Sequence, residues 1–100
     1  MSELIKMKER VERYKAEYPA GTRLLLNHMN DPYAPVESGT RGTVKLVDDA
    51  GQIHMQWDNG RTLALLPGED SFRKLTTDEL AAEQGQVSTE PSQNTPMQSL

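Results

Sequence analysis

One hundred residues, 35% apolar, 26% charged and without cysteine, fit one small domain and leave no room for a second core. The missing cysteines exclude a disulfide framework and a thiolate zinc site, and fit a reducing, cytoplasmic compartment. The longest apolar run, Leu63 to Leu66, is far shorter than a membrane span, and Met1 to Lys6 lacks the apolar stretch of a signal peptide. The net charge of −4 is unevenly placed: residues 1–20 carry +1, residues 21–75 carry −1 and residues 76–100 carry −4. A near-neutral middle lacks the electrostatic footprint of a nucleic-acid binder, so nucleic acid is not an expected partner.

Residues 3–17 read as a helix. Leu4, Met7, Val11, Tyr14 and Tyr18 recur at alternating spacings of three and four, which puts them on one stripe. Pro19-Ala20-Gly21 stops the helix. A helix this short is marginal alone in water, so the stripe needs a surface to cover it. That surface is either the chain's own body or a second copy, which makes Leu4, Met7, Val11 and Tyr14 candidate residues for a homo-oligomer. A membrane surface fits poorly, because the polar face carries nearly as many acids as bases.

From Thr22 to Leu75 the period changes to two. Leu24 and Leu26 share a face, then Val44 and Leu46, then Ile53, Met55 and Trp57, then Leu63 and Leu65, with a short fifth strand over Phe72 to Leu75. Turn signals separate them at Gly39 to Gly42, Asp48 to Gly51 and Asp58-Asn59-Gly60. The expectation is a mainly β fold: a small SH3-like barrel of four to five strands over residues 18–75, preceded by one helix over residues 1–17. Residues 76–100 form an acidic, polar tail. Thr76 to Glu79 reads as a capping box opening one helical turn through Leu80 to Glu83, and the composition beyond Gln84 is that of a disordered chain.

The segment His28 to Ser38 is the longest connection in the domain, and such loops are often functional. It holds an imidazole, a phenol, two carboxylates and two prolines. Tyr33 is either a recognition residue or a plug over the barrel mouth. The two histidines, His28 and His54, have no ligand spacing to a third group, and no metal or other cofactor is expected. Asp48, Asp49 and Asp58 lie in turns, where Asp hydrogen-bonds its own backbone. Gly39-Thr40-Arg41-Gly42 lacks the lysine and helix start of a phosphate loop. Trp57, in phase with Ile53 and Met55, reads as core.

Five ordered blocks carry a resemblance: Tyr18 to Arg23, His28 to Pro35, Gly39 to Val44, Val47 to His54 with Trp57 to Gly60, and Leu65 to Gly68. Together they resemble a domain-of-unknown-function family, number 4314, of small SH3-like proteins from bacteria, bacteriophages and mobile elements. The resemblance covers about residues 18–73. It implies the barrel and a phage or mobile-element setting, and brings no catalytic residue with it.

Two function classes follow. In the first, a non-enzymatic module recognises a host or phage protein through the His28–Ser38 loop, with His28, Asp31, Tyr33 and Pro35 in contact. In the second, an oligomer sequesters a small anionic ligand, such as a signalling nucleotide of host defence, with Arg23, Arg41, Tyr33 and His28. Convergence of those four side chains in one cleft marks the second; an apolar patch around Tyr33, Pro35 and Val36 marks the first. An enzyme is not expected, because no spacing sets a general base beside a nucleophile.

Overall fold

The computed structural model describes residues 2–88. Helix α1 (Ser2–Glu17) leads into β1 (Arg23–His28), β2 (Arg41–Val47), β3 (Ile53–Trp57) and β4 (Ser71–Lys74), and α2 (Thr77–Ser88) follows. The strands pair antiparallel in the order β3-β2-β1-β4. The small, mainly β fold with a leading helix is therefore present, as one open four-stranded sheet with β3 and β4 at its edges. The expected strand over Leu63 and Leu65 is reduced to one antiparallel bridge, Ile53 to Leu65. Part of the reason is that the Leu63 carbonyl accepts the Trp57 Nε1–H at 2.8 Å instead of a ladder bond.

One face of the sheet holds the core, in which Leu24, Leu26, Ile53, Met55, Trp57 and Leu65 are buried. Two bulges set which residues enter it. On β2 the register steps from Val44↔Met55 to Leu46↔His54, so Lys45 is an extra residue and the side-chain alternation reverses beyond it. Val47 is thereby buried and Leu46 stands 51% exposed, which corrects the expected pairing of Val44 and Leu46 on one face. On β1 the step from Leu26↔Phe72 to His28↔Ser71 makes Asn27 the extra residue. Met29 then enters the core, and His28 faces solvent.

Helix α1 divides its apolar stripe. Val11 is buried and Tyr14 half-buried against the β2–β3 turn. Gly51 in that turn has φ +86° and sits so close that an added Cβ would lie 3.5 Å from Val11 Cγ2. Lys15 Nζ reaches Asp49 at 2.8 Å, an exposed pair that orients the helix more than it stabilises it. Tyr18 meets Phe72 edge to face at 5.7 Å, and Lys74 lies over the Tyr18 ring. Toward the N-terminus Leu4, Ile5 and Met7 remain 71%, 51% and 53% exposed.

The capping box at α2 forms: Thr76 Oγ1 accepts the Glu79 N–H, and Glu79 Oε1 accepts the Thr76 N–H. The helix it opens runs to Ser88, well past the single turn expected. The disorder expected beyond Gln84 is corrected for residues 85–88, which continue α2; the remainder of that expectation, residues 89–100, lies outside the described residues. Hydrogen bonds from the Arg73 guanidinium and then from the Thr76 N–H hold the Glu79 carboxyl down to about 2 from its usual 4.5. A depressed value means that this contribution is complete above about pH 4.5 and lost as pH falls toward 2. A carbon-detected titration is expected to place the Glu79 midpoint at about 2, with first-turn amides of α2 losing protection over the same window. A midpoint near 4.5 would mean that the Arg73 and Thr76 bonds do not form in solution.

Candidate functional site: the Met29–Ser38 loop and its cleft

The loop between β1 and β2 is held at several points. Gly39 N–H donates to the Leu26 carbonyl at 2.7 Å and Leu26 N–H to the Thr40 carbonyl at 2.9 Å, which closes its base. Met29 and Val36 are buried in the core, and the Val36 N–H points at Met29 Sδ. The Asp31 carboxylate accepts the Tyr33 N–H at 2.8 Å and the Ala34 N–H at 3.4 Å, the local turn that Asp before Pro favours. Asp70 accepts the Asn30 N–H at 2.7 Å with one oxygen and the Leu66 N–H at 2.8 Å with the other. Arg61 donates to the Ala34 carbonyl.

This frame presents Tyr33, which stands 92% exposed. The plugging role is filled by Met29 and Val36 instead. Beside Tyr33 lies a cleft of about 270 Å³ whose apolar wall includes Met29, Pro32, Leu63, Ala64 and Leu66. Leu63 and Leu66 are each more than a third exposed. Leu66 also lines a second groove, where Met7, Val11 and Tyr14 of α1 face the β2–β3 turn and Pro67. The carboxylates of Asp31 and Asp70 at the cleft accept backbone N–H groups and so hold the loop in place.

The other expected site residues fall elsewhere. Pro35 and His28 are exposed. Arg23 and His28 sit at opposite ends of β1, about 16 Å apart along an extended strand. Arg23 and Arg41 do come together on the solvent face of the sheet, where both donate to Glu83: Arg23 Nη2 at 2.6 Å and Arg41 Nη1 at 3.0 Å. Arg23 also forks onto Asp58 at 2.8 and 2.7 Å. Of the four side chains of the ligand reading, Arg23 and Arg41 meet, while His28 lies at the other end of β1 from Arg23 and Tyr33 lines the loop cleft. Sequence reasoning missed Asp58, Glu83 and Asp70, whose partners lie 35, 60 and 40 positions away; no local signal marks such pairs.

His54 faces away from the core and lies 2.8 Å from Asp48. Hydrogen bonding to His54, then to the Gln52 N–H, holds the Asp48 carboxyl below the usual carboxylate range. Among the described residues no group of three or more His, Asp or Glu side chains gathers as a metal site would require, and no helix is long and apolar enough to cross a membrane.

The family model for the domain of unknown function DUF4314 matches residues 7–75. The chain belongs to this family. The matched span takes in most of α1, all four strands and the Tyr33 loop, and stops before α2. It extends the resemblance read from the sequence to include Met7, Val11 and Tyr14 of α1. No curated protein and no solved structure matches the chain.

Proposed function

We propose that this DUF4314 protein is a non-enzymatic binding module that recognises a protein partner through Tyr33 and the cleft beside it. One observation carries the reading: a tyrosine 92% exposed on a loop tied down along its length. An exposed tyrosine is a common interface anchor, since its ring supplies apolar area and its hydroxyl a hydrogen bond. Holding the loop in place beforehand lowers the entropy lost on binding. The patch differs from the one expected: Val36 is buried in the core, and Leu63 and Leu66 take its place beside Tyr33.

The setting we infer is the cytoplasm of a bacterial host, with the module contributed by a phage or mobile element and its partner a host or phage protein. Of the residues expected to mediate self-association, Val11 and Tyr14 pack against the body, and we assign the role to Leu4 and Met7, exposed with Ile5 toward the N-terminal end of α1. The anionic-nucleotide reading loses support, because Tyr33 and His28 are not gathered with Arg23 and Arg41.

A photo-reactive benzophenone amino acid placed at position 33 in bacterial cells tests this directly. The expected product is one discrete adduct with a different protein, identified by mass spectrometry. Absence of any adduct, or adducts with this chain alone, overturns the reading. In parallel, Tyr33→Ala should keep its Tm within about 3 °C of wild type, as an exposed substitution does. It should also weaken the crosslinked partner's affinity by about 30-fold, the size of a typical anchor. An unfolded Tyr33→Ala would make the ring structural and reject the assignment.

A further inference from the structure

Register across the sheet places Arg23 of β1 opposite Thr43 of β2, with Leu25 opposite Arg41. Arg23 and Arg41 therefore share the solvent face, one pair apart. Helix α2 crosses this face with Glu79 and Glu83 on one side, four residues apart. Glu79 pairs with Arg73 of β4. Glu83 takes hydrogen bonds from Arg23 Nε at 3.2 Å, Arg23 Nη2 at 2.6 Å and Arg41 Nη1 at 3.0 Å. Arg23 Nη1 also reaches Thr43 Oγ1 at 3.1 Å, and Asp58 occupies its remaining edge.

We propose that the Arg23–Arg41 pair is a carboxylate-binding site which the chain fills with its own Glu83. Three features point this way. Arg23 lies largely covered, with 19% of its side chain exposed, and its fork is held by Asp58 and Thr43, so it keeps its orientation when Glu83 leaves. With Glu83 removed, Arg23, Arg41 and Asp58 sum to a single positive charge, which matches a planar monoanion with two oxygens better than a phosphate dianion. Glu83 is also a displaceable occupant. Ala81, Ala82 and Gln84 around it are exposed, and the side-chain bonds from α2 to the sheet are ion pairs at a partly wet surface, which are individually weak. The family match ends at residue 75, so Arg23, Arg41 and Asp58 lie inside the matched domain and Glu83 lies beyond it. The site is separate from the Tyr33 cleft, and its test does not depend on that reading.

The ligand is a carboxylate supplied in trans, either free in solution or on an acidic peptide. Glu83, attached to the same chain, competes at high effective concentration, so the wild-type site is closed to weak ligands. The full-length protein, wild type and Glu83→Ala, is titrated with sodium acetate at constant low ionic strength, with sodium chloride as the matched control. The Arg23 Nε–H and Thr43 amide signals are followed by NMR. Glu83→Ala is expected to show a saturable shift at an acetate concentration about tenfold or more below that needed by wild type. Adding Arg41→Ala should remove it. A shift no larger than that with chloride, or equal in wild type and Glu83→Ala, overturns the proposal. Glu83→Gln, which keeps the side-chain length, guards against a loss of α2, and the buried Trp57 indole N–H signal reports an intact core in every variant. A blocked Gly-Glu-Gly peptide distinguishes the sources. Tighter binding than acetate supports a peptide ligand, and equal binding supports a free carboxylate.

Discussion

Trp57→Ala is expected to lower the urea midpoint of unfolding sharply. The side chain is 1% exposed and packs in the centre of the core with Met55, Ile53 and Leu65. Truncating a buried aromatic costs about 3–5 kcal/mol, from lost transfer energy and the cavity left behind. A small domain of this kind has about 5–15 kcal/mol in all. The indole also ties the Leu63 carbonyl to β3 at 2.8 Å, so its loss releases the segment that forms one wall of the Tyr33 cleft. Trp57→Phe keeps most of the ring volume and removes that hydrogen bond, and should cost about 1–2 kcal/mol more than its lost area alone. Urea denaturation measures both. A Trp57→Ala midpoint that corresponds to a loss under about 1 kcal/mol would show the ring is not packed as described.

Gly42→Ala is expected to destabilise, although alanine suits a strand better than glycine. Gly42 lies within β2, paired with Trp57 of β3. A Cβ there would sit 2.7 Å from Trp57 Cε3, 3.0 Å from Met55 Cε and 3.1 Å from the Gln56 carbonyl oxygen. The methionine methyl can swing away, but a buried indole and a ladder carbonyl cannot. Overpacking of this kind costs about 1–3 kcal/mol, against about 0.4–1 kcal/mol gained by stiffening the unfolded chain. Overpacking wins. Thermal unfolding should show a loss of about 4–15 °C, scaled from the entropy of a domain this size. An unchanged or raised Tm would mean that β2 and β3 are further apart at this point.

The contrast between Trp57 and Tyr33 shows what a single chain of letters can and cannot settle. Trp57 is in phase with Ile53 and Met55, and period-two phasing on a strand is a direct statement about which face a residue joins. Its burial was legible. Tyr33 lies in a loop with no period, so its exposure was open until the anchors at Asp31, Asp70 and Arg61 were located. Asp31 reads as a partner contact, and its hydrogen bonds from the Tyr33 and Ala34 N–H groups were not legible; nor was Asp70, 40 positions from its Asn30 partner. Val44 and Leu46 show a failure of a different kind. The alternation is there in the letters, but the bulge at Lys45 reverses it, and no residue at that point announces a bulge.

Local chemistry therefore determined the leading helix with its apolar stripe, four of the five expected β segments, the capping box at Thr76 and the core role of Trp57. These depend on spacing, φ preference and side-chain reach over a few residues, all of which are written in the sequence. Tertiary structure alone decided that the sheet is open, that α1 spends Val11 and Tyr14 on the body while Leu4 and Met7 stay outside, and that Glu83 lies across Arg23 and Arg41. The reason is common to all three. Each depends on strand order, register and the placement of helices across long sequence separations, where many pairings satisfy the same local pattern and only the packed whole selects one.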